Sequence, residues 1–356
     1  MIPRYRLPPK AYHSADWFDL ELDRVFGARW ALVASAEELA EPGAYVAAVV
    51  GRAPLVVLRG DDGVLRALHN VCRHRGMRLL DGAGTLERCV RCFYHQWRYD
   101  FTGALTAVPQ RREQFPDLVT EEWGLLPAAV AEWEGMVFAH PDPEAAALSE
   151  ALAGVAGHLG SHHPGLLGQV AHVTIPAECN WKLFVENHVD VYHLWYLHEE
   201  TLGDFDHTRF QHRQEGGNWT SYEPLRGEDL AGAALTRGTA TIAHLEPRDR
   251  LGLGAHLVYP NLLMASAAEF FATYVARPTA PDRTIVDLRV RAEPDADATA
   301  LVAALESFIR EDVRACEAVQ SAVRSPAFSV GPLARGYEGP ITAFHDCVLA
   351  DLEGAP

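Results

Sequence analysis

The sequence predicts an α+β chain of two parts, and three observations carry that expectation. A length of 356 residues suggests about two domains. From Ala44 to Phe138 the chain consists of short runs bounded by Gly and Asp, which reads as a small all-β module. Outside that module, apolar residues recur at helical spacing over 13–30, 180–198 and 296–324. The expected limits are 41–140 for the β module, with 1–40 and 141–356 joined in the larger part.

In chain order, Ser14 ahead of Ala15-Asp16 supplies an N-cap for the first helix, with Trp17, Leu20, Val25 and Phe26 on its apolar side. Pro42-Gly43 turns the chain into strands at Tyr45–Val50, Pro54–Arg59 and Val64–Val71, and Asp61-Asp62-Gly63 makes a hairpin turn between the last two. Asp100–Gly103 is a second turn and Met136–Ala139 another strand. His140-Pro141-Asp142-Pro143 breaks the structure, and the alanine-rich Glu144–Leu159 is expected to be helical. His158, His162 and His163 have no Cys, Asp or Glu at ligand spacing and read as solvated loop residues. A strand over 169–180 leads into the helical run. From Glu199 to Arg250 the chain is polar and irregular, with Gly216-Gly217 and Arg237-Gly238, as a lid or substrate wall would be. Strands at His256–Tyr259, Phe270–Arg277 and Thr284–Arg291 follow, and then the long last helix.

Composition excludes several function classes. A formal charge of −17, from 48 acidic and 31 basic residues, argues against nucleic acid or an anionic membrane surface as the main partner. No run of about 18 apolar residues is present to span a bilayer. Met1 to Lys10 holds two arginines and three prolines and no apolar run, so no export signal is expected, and the chain is expected to be cytoplasmic. Six cysteines in such a chain point to metal or structural thiols rather than disulfides.

The run Asn180 to His198 puts His188, His193 and His198 among residues that otherwise read as core helix. An unpaired buried polar group costs about 1–3 kcal/mol, so such a helix implies something that binds them. Asp190 and His193 share a helix face. His193 and His198 are five apart, as are His188 and His193, so a regular helix splays either pair. A π-bulge is the usual device that brings such residues together, and spacing alone does not choose between the pairs. Two histidines with a carboxylate from elsewhere would form the open three-ligand face of non-heme Fe(II) oxygenases.

Inside the β module lie Cys72-Arg73-His74 and Cys92-Phe93-Tyr94-His95, with seventeen residues between them. One Cys and one His in each of two tight loops suits a [2Fe–2S] cluster with two thiolates on one iron and two imidazoles on the other. A structural zinc site is the competitor, since Cys89-Val90-Arg91-Cys92 is a CxxC, but such sites pair Cys with Cys and His with His. Cys89 is therefore expected to be a bystander.

Periodicity nominates the carboxylate. Leu305, Ile309, Cys316, Val319 and Val323 form one stripe of the last helix, and Asp312 falls within about 20° of its axis. Glu311 and Glu317 fall about 120° to either side. An aspartate on a core-facing stripe must be paired, protonated or metal-bound. An ion pair with Arg291 or Arg314 is the alternative to a ligand role.

Cys72-x-His74-Arg75-Gly76, Cys92-x-x-His95-x-Trp97, Asn180-Trp181-Lys182 and Asp190-x-x-His193-x4-His198, in this order, resemble the Rieske non-heme iron oxygenase family, alpha (catalytic) subunit. The resemblance covers nearly the whole chain. It implies a Rieske [2Fe–2S] domain on Cys72, His74, Cys92 and His95, and a helix-grip catalytic domain with a curved antiparallel sheet on long helices. It selects His193 and His198 as iron ligands, leaves His188 as a neighbour, and agrees with Asp312 as the third ligand of a mononuclear Fe(II). It gives Asp190 a catalytic place, between His193 and the cluster histidine His95 of a neighbouring subunit. That route requires an oligomer, a homotrimer by resemblance. The implied partners are an NAD(P)H-dependent flavin reductase, a ferredoxin, O2 and a small organic substrate, either an aromatic ring or a quaternary or tertiary amine. The different-class alternative is a Rieske electron-transfer protein, which would need neither Asp190-x-x-His193-x4-His198 nor Asp312. Asp204-x-x-His207-x4-His212 repeats the ligand spacing in a polar stretch, where His207 and His212 read as solvent-facing or lid residues.

Overall fold

The computed structural model describes residues 4–227, 239–329 and 331–353. The expected loop residues Arg237-Gly238 and the Gly-Ala-Pro tail lie outside them. The chain divides into two compact units, Leu22–Leu148, and Met1–Glu21 with Ser149–Pro356.

The Leu22–Leu148 unit is almost entirely antiparallel strand. Its strands are β1 (Ala31–Ser35), β2 (Ala44–Val50), β3 (Ala53–Arg59), β4 (Leu65–His69), β5 (Ala83–Thr85), β6 (Val90–Arg91), β7 (Arg98–Tyr99), β8 (Leu105–Ala107), β9 (Pro127–Trp133) and β10 (Met136–His140). A seven-stranded sheet runs β1-β10-β9-β4-β3-β2-β5, and β6-β7-β8 form a small second sheet. The expected turns close as the sequence implies. Gly63 lies at φ +75° between β3 and β4, and Gly103 N–H donates to Asp100 O at 3.0 Å. One core cluster of this unit gathers Val56, Leu58, Leu68, Val90, Trp97 and Tyr99 around Cys72 and Cys92. The two loops that carry these cysteines are therefore anchored on packed apolar surface.

The other unit is built on a seven-stranded antiparallel sheet. Its strands are β11 (Gly168–Ala177), β12 (Gln211–Glu215), β13 (Asn218–Pro224), β14 (Gly252–Val258), β15 (Leu262–Ala267), β16 (Phe270–Ala280) and β17 (Arg283–Ala292). They lie in the order β11-β17-β16-β15-β14-β13-β12. The helix Trp181–Val189 packs against β14 and β16, the late helix Thr299–Ala322 and the C-terminal helix Gly339–Glu353. No described helix is long and apolar enough to cross a membrane.

Several local expectations are corrected. Glu144–Leu159 is not one helix: only Leu148–Ala151 is α-helical, with a 3-10 turn at Ala156–His158. Glycines at positive φ, Gly154 at +75° and Gly160 at +64°, interrupt what alanine content alone favours. Up to Gly227 the stretch after Glu199 is more ordered than its polarity implied. It contains a short helix Glu199–Leu202 and the β12–β13 hairpin, which turns at Gly216-Gly217. In the late helix Val319 is 41% exposed, and the buried line runs through Cys316 to Gln320. At 3.6 residues per turn a straight stripe drifts, so a seven-residue extrapolation overshoots.

The Trp181–Val189 helix begins at Asn180, whose side chain accepts from Lys182 N–H at 3.0 Å. Its first turn is fixed by a buried ion pair: Lys182 Nζ lies 2.5 Å from Glu21 Oε1, and Trp181 Nε1–H donates to Glu21 Oε2 at 2.9 Å. Burial lowers the pKa of Lys182, opposed by the Glu21 carboxylate. Trp181 and Lys182 thus hold the helix to the first helix, Ala15–Glu21.

Candidate metal centres and the active-site cleft

The two cysteine loops of the β unit are built alike. Cys72 N–H donates to Met77 O at 2.8 Å and Gly76 N–H to Cys72 O at 2.9 Å. Cys92 N–H donates to Trp97 O and Gln96 N–H to Cys92 O, both at 2.9 Å. Each loop therefore reverses over five residues and needs a left-handed residue at its fourth step. Gly76 provides it at φ +71°, and Gln96 adopts it at +61° with its Nε2 donating to Phe93 O. Cys72 and Cys92 are buried. The His74 and His95 rings lie 4.5 Å apart between centroids, and His74 stacks on Trp97. Tyr99 Oη lies 3.3 Å from Cys72 Sγ and accepts from Arg73 N–H. His74 Nδ1 is buried without a hydrogen-bond partner, as expected of a nitrogen meant for a metal. Two thiols and two imidazoles so placed fit a Rieske cluster. Cys89 is partly exposed and free.

In the catalytic unit the Trp181–Val189 helix does not continue through the histidines. It ends at Asp190, whose ψ of 117° is extended, and a new turn, Leu194–Leu197, runs from His193 to His198. A break, not the expected π-bulge, turns the two imidazoles to one side. Asp190 caps the break, its Oδ1 accepting from Tyr192 N–H at 2.6 Å.

Ligand atoms of His193, His198 and Asp312 all lie within 4.8 Å of one another. His198 Nε2 is 2.8 Å and His193 Nε2 3.7 Å from Asp312 Oδ1. Each ring's other nitrogen faces a second carboxylate: His193 Nδ1 lies 3.3 Å from Asp190, and His198 Nδ1 2.8 Å from Glu311. Carboxylates at that position fix ring orientation and raise ligand basicity. Burial opposes the charged form of His193, but Asp190 and Asp312 more than offset it, and its pKa is raised. Asn187 Nδ2 donates to Asp312 Oδ1 at 2.8 Å, so it positions the carboxylate itself. Two imidazoles and one carboxylate on one face fit Fe(II) with open positions opposite.

Asn187, Asp190, His193 and Asp312 border a cleft whose empty space, with the solvent at its mouth, is about 600 Å³. Its walls include Trp219, Phe270, Tyr274, Phe308, Leu253 and Leu305. Trp219 and Phe270 face it, while Phe184, Phe205, Leu263 and Phe271 are buried core. His188 borders the cleft, and its Nε2 lies 3.0 Å from His256 O. Burial pushes its pKa down to about 4.

Two residues were missed by sequence. Glu311 lies off the apolar stripe, yet its side chain reaches back to His198; its adjacency to Asp312 was the available signal. His207 is buried and pairs through Nδ1 with Glu223 in the cleft wall, contrary to the expectation of a solvent-facing residue, whereas His212 is exposed. His162 is likewise buried, between Leu159 O and Ala267 O. His158 and His163 are exposed, as expected.

Fold and donor groups together define a class, a chain built for an iron–sulfur cluster and a separate mononuclear iron. The catalytic-domain model of the ring hydroxylating alpha subunit matches residues 165–354, and the Rieske [2Fe-2S] domain model matches residues 29–128. The chain belongs to the ring-hydroxylating alpha subunit family. It is 36% identical to the chlorobenzene dioxygenase alpha subunit of Cupriavidus sp. (strain PS12), over 53% of this chain and 43% of the relative. It is 32% identical to the carnitine monooxygenase oxygenase subunit of Escherichia coli (strain K12), over 61% of this chain and 58% of the relative. The chain thus matches about half the length of these relatives. Among solved structures, a quaternary ammonium Rieske monooxygenase superposes with a TM-score of 0.85 at 23% identity, covering 98% of this chain and 95% of that one. A naphthalene 1,2-dioxygenase from Rhodococcus sp. does so with 0.76 at 21%, covering 98% and 95%. These likenesses show a shared fold.

Proposed function

We propose that this chain is a terminal oxygenase component that uses electrons from a reductase and O2 to hydroxylate or oxidatively demethylate a small organic substrate. The observation that carries this is the convergence of His193, His198 and Asp312 at the edge of an aromatic-walled cleft, each imidazole backed by its own carboxylate. We assign Cys72, His74, Cys92 and His95 to the cluster and His193, His198 and Asp312 to the mononuclear iron. When bound, the cluster supplies electrons one at a time and the iron supplies reductive O2 activation.

The chain's own residues do the rest. Asp190 and Glu311 hold the two imidazoles with Nε2 toward Asp312, and Asn187 fixes the carboxylate oxygen that both approach. The cleft's apolar walls keep water from the open side and hold a substrate carbon beside it. Asp190 caps the helix break and touches His193, so it is the natural entry for electrons from a cluster histidine, His95, of a neighbouring copy. That route makes the working form an oligomer, a homotrimer in this proposal. The electron donors proposed are an NAD(P)H-dependent flavin reductase and a ferredoxin. The relatives named for chlorobenzene and for carnitine bracket the substrate between an arene and an amine.

The test is a visible and EPR spectrum of anaerobically purified protein, with iron counted per chain. A reduced Rieske signal with about three irons per chain, and O2 uptake coupled to a reductase, is the expected result. Two irons that stay two after Fe(II) is added would leave an electron carrier. A colourless zinc protein would end the proposal.

A further inference from the structure

The cleft wall carries one carboxylate that the iron site does not use. Asp312 is directed at the two histidines, and Asp190 is engaged by His193 and Tyr192 N–H. Glu223 on β13 is 3% exposed and lines the same cleft. It shares a strand face with Trp219, four residues back. His207 Nδ1 engages its Oε2. That contact holds the carboxylate in place on the wall. Among the described residues that line the cleft there is no Lys or Arg, and apart from Asn187, His188 and the iron-site groups the walls are Trp219, Phe270, Tyr274, Phe308 and aliphatic side chains. A carboxylate on a wall of this kind favours a positive group in the space it faces. Aromatic faces attract the same kind of group. A substrate carboxylate, by contrast, would find no cationic side chain here and would be repelled by Glu223.

We infer that Glu223, positioned by His207, is the specificity-determining residue of the cleft, and that it selects an organic monocation, a quaternary or protonated tertiary amine without an acid group. This rests on the reading of the cleft as the oxygenase's substrate site. It separates this chain from a neutral-arene hydroxylase and from an enzyme for a zwitterionic amine.

The test is calorimetric binding to the purified holoenzyme, with iron counted in the same sample. Three probes are compared: choline, its uncharged isostere 3,3-dimethylbutan-1-ol, and L-carnitine, which adds a carboxylate. The expected result is choline at least about tenfold tighter than either of the others, as one desolvated charge pair allows. Glu223→Gln keeps an oxygen for His207 Nδ1 and removes the charge. In that variant choline and 3,3-dimethylbutan-1-ol are expected to bind within about twofold of each other. Unaltered thermal unfolding would show that the fold is intact. Equal or tighter binding of the neutral isostere by the wild-type protein, no saturable choline binding, or discrimination that survives in Glu223→Gln would each overturn the inference. The wild-type comparison decides it even if the variant does not fold. An iron count of about three per chain with no cation preference would sink only this inference. Loss of the mononuclear iron from well-folded protein would sink the oxygenase reading itself.

Discussion

At the residue scale, Asp312 shows how one side chain separates stability from function. It is buried on the late helix beside Ile309 and Val313, where a carboxylate without a metal is a liability. Asp312→Asn keeps the shape and removes the charge. The expected outcome is a fall from about three irons per chain to about two, with an unchanged Rieske EPR signal and no loss of thermal stability. A variant that kept its third iron would remove Asp312 from the ligand set. Glu311→Gln tests the group that sequence periodicity passed over. Loss of a carboxylate behind a ligand histidine typically costs 10–100-fold in metal affinity, so a chelator titration is expected to strip its mononuclear iron at about 10–100-fold lower chelator. His256 sits on β14 with both ring nitrogens buried and unpartnered, and burial pushes its pKa down to about 3. Its folded pKa lies below its unfolded one, so the unfolded chain binds the extra proton and stability falls as pH drops from about 6.5 toward 3. Between pH 6.5 and 5 this one group accounts for about 2 kcal/mol. His256→Leu is expected to lose about that much less stability than wild type over the same interval, measured by urea midpoints.

At the element scale, the elements that present ligands were the legible ones. Hydrophobic period placed the late helix and its inward aspartate, and the paired Cys and His spacing placed the loops around Cys72 and Cys92. The break at Asp190 was hidden because Val185, Val189, Tyr192 and Tyr196 keep helical spacing through it, yet Tyr192 and Tyr196 are 48% and 73% exposed. Continuous periodicity does not report a helix that stops and restarts with a new axis. The β12–β13 hairpin escaped because β12 is exposed along its whole length and shows no alternation. The same blindness hid the burial of His207, which depends on Glu223 sixteen residues further along the chain. The organising helix also leans on a distant partner, Glu21. Lys182→Met leaves Glu21 charged in a dry site, and breaking a buried pair this way costs about 3–5 kcal/mol. The expected result is a clear fall in melting temperature. Part of it should return in the double variant Lys182→Met with Glu21→Gln, because no orphaned charge remains. An unchanged single variant would mean that Glu21 finds water or another cation.

At the scale of the whole molecule, the chain carries two candidate metal-binding constellations on two separate units, and in the proposed reaction electrons pass from one to the other. Asp190 both terminates the helix and contacts His193. If it hands electrons on from His95 of a neighbouring copy, Asp190→Asn is expected to keep both metals and both spectra while losing reductase-coupled turnover about 100-fold or more. Whether the passage runs within or between copies is decided by mixing two dead chains. Cys92→Ser removes the cluster and Asp312→Asn removes the mononuclear iron, so neither chain alone can complete the reaction. Co-expressed with different tags and purified as mixed oligomers, they place an intact cluster beside an intact iron wherever unlike chains adjoin in the required order. In a head-to-tail ring of three, every mixed oligomer has such a junction at about one of its three interfaces. Mixed oligomers are therefore expected to recover about a third of wild-type O2-coupled product formation if electrons cross between subunits. They would recover none if each chain feeds its own iron, because every chain then lacks one centre. Recovery that persists when Asp190→Asn is added to the iron-competent chain would show that the crossing takes place without Asp190.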